Sequence, residues 1–270
     1  MAEVPPLFLA AARFTFAAFP AILFVPRPAV PWSWLIAYGL FLGVGEFGLL
    51  FSAIKLGAPS GLSSIILQSQ AFFTLILAAL TLRERPRPAS LAGMAVAALG
   101  LLLIAMDENR SGGVGPLPIL MVVAAAFCWA AANIIARGMP GGSAAGLMVW
   151  SSLVSPLPLL ALSLALEGPG AIMAAVQGLS LVSIGALVYL VLLSTILGYG
   201  VWNHLIMRHG ASAVAPYSLL VPAFGLSAAA LFLGERLRPP AILATGFVAA
   251  GLGLHIRGIR SGGNPARRPR

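Results

Sequence analysis

Nine apolar runs of about twenty residues dominate this sequence, separated by short segments that hold most of its charge. They cover Leu7–Val25, Trp32–Ile54, Leu62–Leu82, Leu91–Met106, Leu117–Ile135, Leu147–Leu166, Leu181–Asn203, Val214–Leu233 and Ala241–Ile256. A hydrocarbon core about 30 Å thick is crossed by roughly 20 helical residues, so runs of this size match membrane spans. Their continuous apolar character, without alternation over about ten residues, points to helices and away from barrel strands. With 60% hydrophobic and 9% charged residues, the chain is too apolar for a water-covered surface, on which about 25% charged residues is usual. The expected fold class is an all-α polytopic membrane protein with nine transmembrane helices.

The net charge of +9 would suggest a nucleic-acid partner for a soluble protein. Here the placement argues for a lipid bilayer instead. Arg257, Arg260, Arg267, Arg268 and Arg270 lie in the tail, and most other cations fall between the apolar runs. Basic loops face the cytoplasm. A cytoplasmic C-terminus puts Arg27, Arg83, Arg85, Arg87, Arg137, Arg208 and the tail arginines inside, against Lys55, Arg110, Arg236 and Arg238 outside. The expectation is a multi-pass protein of the cell inner membrane with an external N-terminus and a basic, disordered cytoplasmic tail over 258–270. No signal-peptide pattern precedes the first run. The single Cys128 excludes an internal disulfide and reads as packing.

An internal repeat sets the architecture. The stretch Ala71-Phe72-Phe73 through Glu84-Arg85-Pro86-Arg87-Pro88 aligns without gaps on Pro222-Ala223-Phe224 through Glu235-Arg236-Leu237-Arg238-Pro239, and Gly100-Leu101 continues onto Gly251-Leu252. Upstream, Lys55-Leu56-Gly57-Ala58 matches Arg208-His209-Gly210-Ala211. Five crossings separate the two Glu-Arg motifs, and an odd number inverts the second copy in the bilayer. Inverted repeats characterise secondary transporters, whose substrate site lies near the midplane between the halves. The domains are therefore read as 1–110 and 111–257. The second half has five spans and the first four, so a helix before Leu7 is missing by comparison.

Several stretches carry a family resemblance: Leu9-Ala10-Ala11-Ala12-Arg13-Phe14, Leu67-Gln68-Ser69-Gln70-Ala71-Phe72-Phe73-Thr74, Ser218-Leu219-Leu220-Val221-Pro222 and the two Glu-Arg turns. The chain resembles the EamA-type members of the drug/metabolite transporter superfamily, in particular the bacterial exporters of cysteine and O-acetylserine. That resemblance implies ten helices in two inverted five-helix repeats, both termini cytoplasmic, and export of small metabolites by alternating access. The family's first helix, with its Trp and Asn pair, has no counterpart here, whereas Trp129 and Asn133 keep that pair in the second half. A start site assigned too far downstream is the expected reason, with truncation as the alternative.

Ionisable groups within a membrane are costly and mark function. At 1.5 Å per residue, Arg13 and Glu46 fall at similar depths toward the outer side. Two readings stand: a structural ion pair between neighbouring helices, or a transport role in which Glu46 exchanges protons or binds a substrate ammonium. Gln68 and Gln70 share that depth and offer amides to a zwitterion. Residues two apart diverge on a helix, so at most one of them faces a cavity. Trp129 with Asn133, and Tyr199 with Asn203, have helical spacing and fall in the inner half, either as interfacial anchors or as the inner end of a pathway. Gly39, Gly43, Gly45 and Gly48 read as close-packing positions. Glu84-Arg85 and Glu235-Arg236 read as turn and orientation devices, and Pro222 as a kink.

The histidines His204, His209 and His255 lack metal-ligand spacing, and no nucleophile elbow or phosphate-binding loop is present. No cofactor or metal is expected, and no enzyme chemistry. The expected function is export of a small amino-acid-like metabolite by alternating access, with proton exchange. The competing readings are uptake, drug or nucleotide-sugar transport, a membrane enzyme acting on lipid, and a non-transporting fragment.

Overall fold

The computed structural model describes residues 4–84, 86–108, 115–224 and 239–261, except the side chains of 104, 105, 107, 108, 239–241 and 259–261. The expectations for Arg85, Arg110, Glu235-Arg236, Arg238 and the tail beyond 261 lie outside the described residues.

Helices alone form the secondary structure of the described residues. α1 (Pro6–Ala18) continues as a 3-10 turn to Leu23. α2 (Trp32–Lys55), α3 (Ser60–Thr81), α5 (Pro116–Gly138) and α8 (Leu181–His209) are each long and apolar enough to cross a membrane, as is the α1 segment Pro6–Leu23. α6 is a broken span, Ala144–Ser151 then Pro156–Leu166, bent by 43°. α4 (Pro88–Glu108), α9 (Ala211–Phe224) and α10 (Pro239–Ser261) contain shorter apolar stretches. Each of the nine expected spans thus has a helix in its place. α4 begins three residues before its expected start, and the final part of the expected 214–233 span lies outside the described residues. A short helix, α7 (Pro169–Gln177), was not expected between the sixth and seventh spans.

The bend in α6 has a local chemical cause. Pro156 has no backbone N–H to donate, and the Ser152 hydroxyl donates to the Met148 carbonyl at 2.7 Å, competing with the helix ladder just before the break. The Ser155 hydroxyl instead donates to Gly39 O at 3.1 Å, tying the bend to α2. There a Cβ on Gly39 would stand 2.5 Å from the Ser151 carbonyl, and one on Gly43 would collide with the Ser155 side chain. Gly45 likewise leaves 2.7 Å for Cys128 Sγ on α5. Absent side chains set the helix separation here, as expected where lipid supplies no hydrophobic drive between helices.

α4 and α10, whose first residues Pro88 and Pro239 the repeat alignment pairs, pack along their whole length. Their contact order gives the relative direction. Gly93 abuts Gly251, while Gly100 lies farther along α4 and meets Ala244, farther back on α10. Arg87 NH1 donates to Gly258 O at 2.9 Å at the end where this order leads. Corresponding helices of the two halves therefore run antiparallel.

Two further correspondences appear inside the spans. α2 is wound as a π-helix over Leu40–Gly48 and α8 over Leu190–Tyr199, and each ends before a positive-φ glycine, Gly57 at +101° or Gly210 at +98°. Half of the α2 window is buried, against 11% of the α8 window. α5 and α6 cover α2. α1 packs on the π-wound part of α8, whose remaining face presents Leu181, Val182, Leu193 and Leu197 outward.

Candidate functional site

The polar residues singled out in the apolar runs are buried: Arg13, Glu46, Gln68, Gln70, Asn133 and Asn203 are each 8% exposed or less. They come together in layers across the bundle.

The first layer lies where the two π-wound segments meet. Tyr199 OH donates to Glu46 Oε1 at 3.4 Å, and the other carboxylate oxygen, Oε2, is buried without a hydrogen-bond partner. Arg13 reaches the same place from α1. Its Nε donates to Thr195 Oγ1 and its NH2 to Ser194 Oγ, the latter at 3.1 Å. The guanidinium carbon lies 4.7 Å from the Phe47 ring centroid and 5.7 Å from that of Tyr199. Between described residues the one ion pair is Glu84 with Arg137, so Arg13 and Glu46 do not form the direct pair that one sequence reading allowed. They share the Tyr199 ring instead. π-winding makes this possible: Thr195 Oγ1 donates to Leu190 O, five residues back, at 2.7 Å, and the widened turn aims both hydroxyls at Arg13. Such segments recur at functional positions.

Trp129 borders this layer, its ring 6.5 Å from Tyr199 and 6.4 Å from Trp202 between centroids. Its indole Nε1 is buried without a partner.

The second layer is a closed hydrogen-bond network. Gln70 Nε2 donates to Ser218 Oγ at 2.5 Å, and Gln70 Oε1 accepts from Asn133 Nδ2 at 3.1 Å and from Thr74 Oγ1 at 3.3 Å. Asn133 Oδ1 accepts from Trp202 Nε1 at 2.9 Å. Four helices, α3, α5, α8 and α9, are joined through it. The contact with Ser218 falls where two irregular stretches meet: α3 is interrupted at Gln68–Ser69, and α9 runs as a 3-10 helix over Ala215–Leu220. Gln68 takes the other course. Its Nε2 reaches only Ser64 O on its own helix, at 3.4 Å, and its Oε1 is buried and unpartnered. The two amides diverge as their spacing requires. In a third position, Asn203 Nδ2 donates to Tyr38 OH at 2.8 Å.

The two sets that the sequence separated by depth are joined by hydrogen bonds: Tyr199 of the inner set bonds Glu46 of the outer set, and Gln70 of the outer set bonds Asn133 of the inner one. Thr195, Ser194, Trp202, Ser218, Thr74 and Tyr38 were missed. Being uncharged they gave no signal alone, although Thr195 and Ser194 sit about one turn before Tyr199.

At one end of the bundle Glu84 joins the halves. Its carboxylate accepts from Arg137 Nε at 3.0 Å, from the backbone N–H groups of Ala211 (3.2 Å) and Ser212 (2.9 Å), and from Ser212 Oγ at 2.5 Å. Burial pushes this carboxyl up, but the Ser212 hydroxyl and backbone, Arg137 and the Ala211 backbone outweigh it and hold Glu84 below the usual carboxylate range. A hollow of about 470 Å³, lined by Ala79, Arg83, Glu84 and Pro86, opens beside it. At another helix start Glu167 accepts from the N–H groups of Leu7 (2.8 Å) and Phe8 (3.1 Å), the same use of a carboxylate on unsatisfied helix-end donors.

Comparison with known proteins bears on the fold and the family. A solved crystal structure 18% identical in sequence superposes with a TM-score of 0.76, covering 97% of this chain and 91% of its own, which supports the fold. A protein of Salmonella typhimurium named "Probable amino-acid metabolite efflux pump" is 42% identical over 96% of this chain and 88% of its own length. An Escherichia coli protein of the same name is 41% identical with the same coverage. A Streptantibioticus cattleyicolor protein named "Probable terminal-alkyne amino-acid exporter" is 28% identical over 84% of this chain and 75% of its own length. The profile of the EamA-like transporter family matches residues 1–106 and 116–257. The chain belongs to the EamA-like transporter family.

Proposed function

We propose that this protein exports small amino-acid-like metabolites across the inner membrane by alternating access, with the layer around Glu46 as the substrate site. The observation that carries this reading is a carboxylate 2% exposed whose Oε2 has no partner, set between helices of the two halves in a chain of the EamA-like transporter family. A transporter site must leave polar groups to be satisfied by its cargo, and structural polar groups in lipid are satisfied internally. Gln70, Asn133 and Asn203 meet the structural description, whereas Glu46, Gln68 and Trp129 retain unpartnered atoms. The names of the efflux-pump and exporter relatives support an amino-acid-like cargo and the outward direction.

In this reading residues 1–110 and 111–257 form the two inverted halves, the C-terminal tail is cytoplasmic, and the Glu84 end faces the cytoplasm. Arg13, Glu46, Gln68 and Trp129 contact cargo, Tyr199 orients Glu46, and Gln70, Asn133 and Asn203 hold the helices around them. Glu46 exchanges a proton for substrate. The test is flux in proteoliposomes holding the purified chain, with cysteine and O-acetylserine as cargo under an imposed pH gradient. Wild-type protein moves the cargo chemically unchanged, and Glu46→Gln loses the pH-driven component. Absence of flux for these and other amino acids rejects transport of this class, and pH-driven flux unchanged in Glu46→Gln rejects proton exchange there.

A further inference from the structure

We infer that the site selects zwitterions, with Arg13 receiving the α-carboxylate and Glu46 Oε2 the α-ammonium of one cargo molecule. This rests on the transport reading above and assigns the two ends of the cargo to two named side chains.

The inference starts from an electrostatic imbalance. A buried guanidinium and a buried carboxylate lie within one layer, 8% and 2% exposed, yet neither is neutralised by direct pairing. Arg13 is held by two neutral hydroxyls, Thr195 and Ser194, and lies against the faces of Phe47 and Tyr199. Those contacts fix the orientation of the guanidinium without supplying negative charge. Glu46 receives one neutral donor, Tyr199 OH, on one oxygen only. Burying charges without compensation is unfavourable, and a direct ion pair would offset part of the cost. The two groups instead both touch Tyr199, whose hydroxyl contacts the anion and whose ring contacts the cation.

A molecule carrying both charges a few ångströms apart completes this arrangement. An ammonium supplies the donor that Glu46 Oε2 lacks, and a carboxylate supplies the planar, two-oxygen acceptor that a guanidinium fits best. The unpartnered indole N–H of Trp129, beside the Tyr199 ring, is one more donor for the carboxylate. The sum of charges is then zero before and after binding.

Molecules with one charge meet repulsion at the other end. An amine lacking the carboxylate brings a second cation near Arg13. An N-acylated acid brings a second anion near Glu46 and offers Oε2 only a neutral amide N–H in place of the ammonium. Discrimination thus comes from like-charge repulsion as well as attraction, and a buried polar group left unpaired is penalised strongly.

The experiment compares cysteine, cysteamine and N-acetylcysteine, which share a side chain and differ only at the two charged ends, in proteoliposomes containing the full chain. Wild type is expected to move cysteine at least about a hundredfold better, in initial rate over concentration, than either analogue. Glu46→Gln should reduce cysteine flux and narrow the handicap of N-acetylcysteine about tenfold, leaving that of cysteamine. Arg13→Gln should do the converse. Because loss of Arg13 can also harm folding, Arg13→Lys is measured beside it, with cargo-protected thermal unfolding of each variant by cysteine as a second readout.

Cysteine transport with either analogue moving equally well would overturn zwitterion selection and leave the transport reading standing. So would an unchanged analogue preference in both Glu46→Gln and Arg13→Gln. No movement of cysteine or any other amino acid by wild type would overturn both readings.

Discussion

Tyr199 and Glu46 occupy corresponding positions in the two halves, and they hydrogen-bond to each other at 3.4 Å across a sequence separation of 153. The same separation relates Gly57 to Gly210, the two positive-φ turns that follow these helices, and Lys55 to Arg208. A pseudo-symmetric contact thus joins an acid in one half to a phenol in the other. The phenol holds Glu46 by a single bond, and replacing Tyr199 with Phe removes that bond while keeping the ring beside Arg13. Tyr199→Phe is expected to lower amino-acid flux about tenfold, the effect of one hydrogen bond of about 1.4 kcal/mol, with little change in thermal stability. Initial rates and a melting curve from the same preparation check this.

The α4–α10 contact predicts an unequal response of neighbouring glycines. A methyl at Gly251 collides with the Gly93 carbonyl, whereas one at Gly253 meets no atom within 4 Å. Gly251→Ala should destabilise the protein by about 1–3 kcal/mol through overpacking. Gly253→Ala should be neutral or slightly stabilising, because alanine favours the helix. Thermal unfolding in detergent distinguishes the two.

Gln68 and Gln70 should separate stability from transport. Gln70→Leu removes the interhelical bonds to Asn133 and Ser218, which keep Thr74, Trp202 and Ala215 as partners, and is expected to cost about 1–2 kcal/mol, the upper range for interhelical hydrogen bonds in membranes. Gln68→Leu breaks only a 3.4 Å bond within its own helix and should leave the melting temperature unchanged while reducing flux. Equal thermal losses in both would contradict the assignment of Gln68 to the cargo.

Glu84 predicts a dependence on acid. Its folded-state pKa lies below the ordinary carboxylate value, so the folded protein holds the ionised form more tightly than the unfolded chain does. That contribution is present in full above the ordinary carboxylate range and is lost as pH falls through the lower, folded value. Wild type should therefore lose stability on acidification through and below that range, and Glu84→Gln should show a shallower acid dependence. Glu84→Ala removes the acceptor of Arg137 Nε and of the two backbone donors, while Arg137 NH1 keeps the Met207 carbonyl. It should cost about 2 kcal/mol, or about 4–8 °C in melting temperature.

The all-α, multi-span character and the correspondence of α4 with α10 were legible because lipid imposes a length and an apolar composition on every crossing. The constant offset between the Glu-Arg motifs then fixed which helices correspond. Within the site, Arg13 and Glu46 were visible for the same reason, since charge is rare in such a run and cannot be placed there without consequence. The divergence of Gln68 from Gln70 followed from helical geometry alone.

Partnership was another matter. One hydroxyl among many marks neither Thr195 nor Ser218 in a sequence, and their roles arise only when π-winding in α8 and 3-10 winding in α9 rotate them toward Arg13 and Gln70. Winding is decided by packing between helices, where a fraction of a turn selects the face a side chain presents. Counting along straight helices therefore could not show that Tyr199 bonds Glu46 or that Gln70 bonds Asn133. The linear chain determined that this protein is an all-α, multi-span membrane protein with scarce buried charge, because solvent imposes that residue by residue. Tertiary structure decided which of those charges stay unpaired, because that depends on distances between helices far apart in the chain.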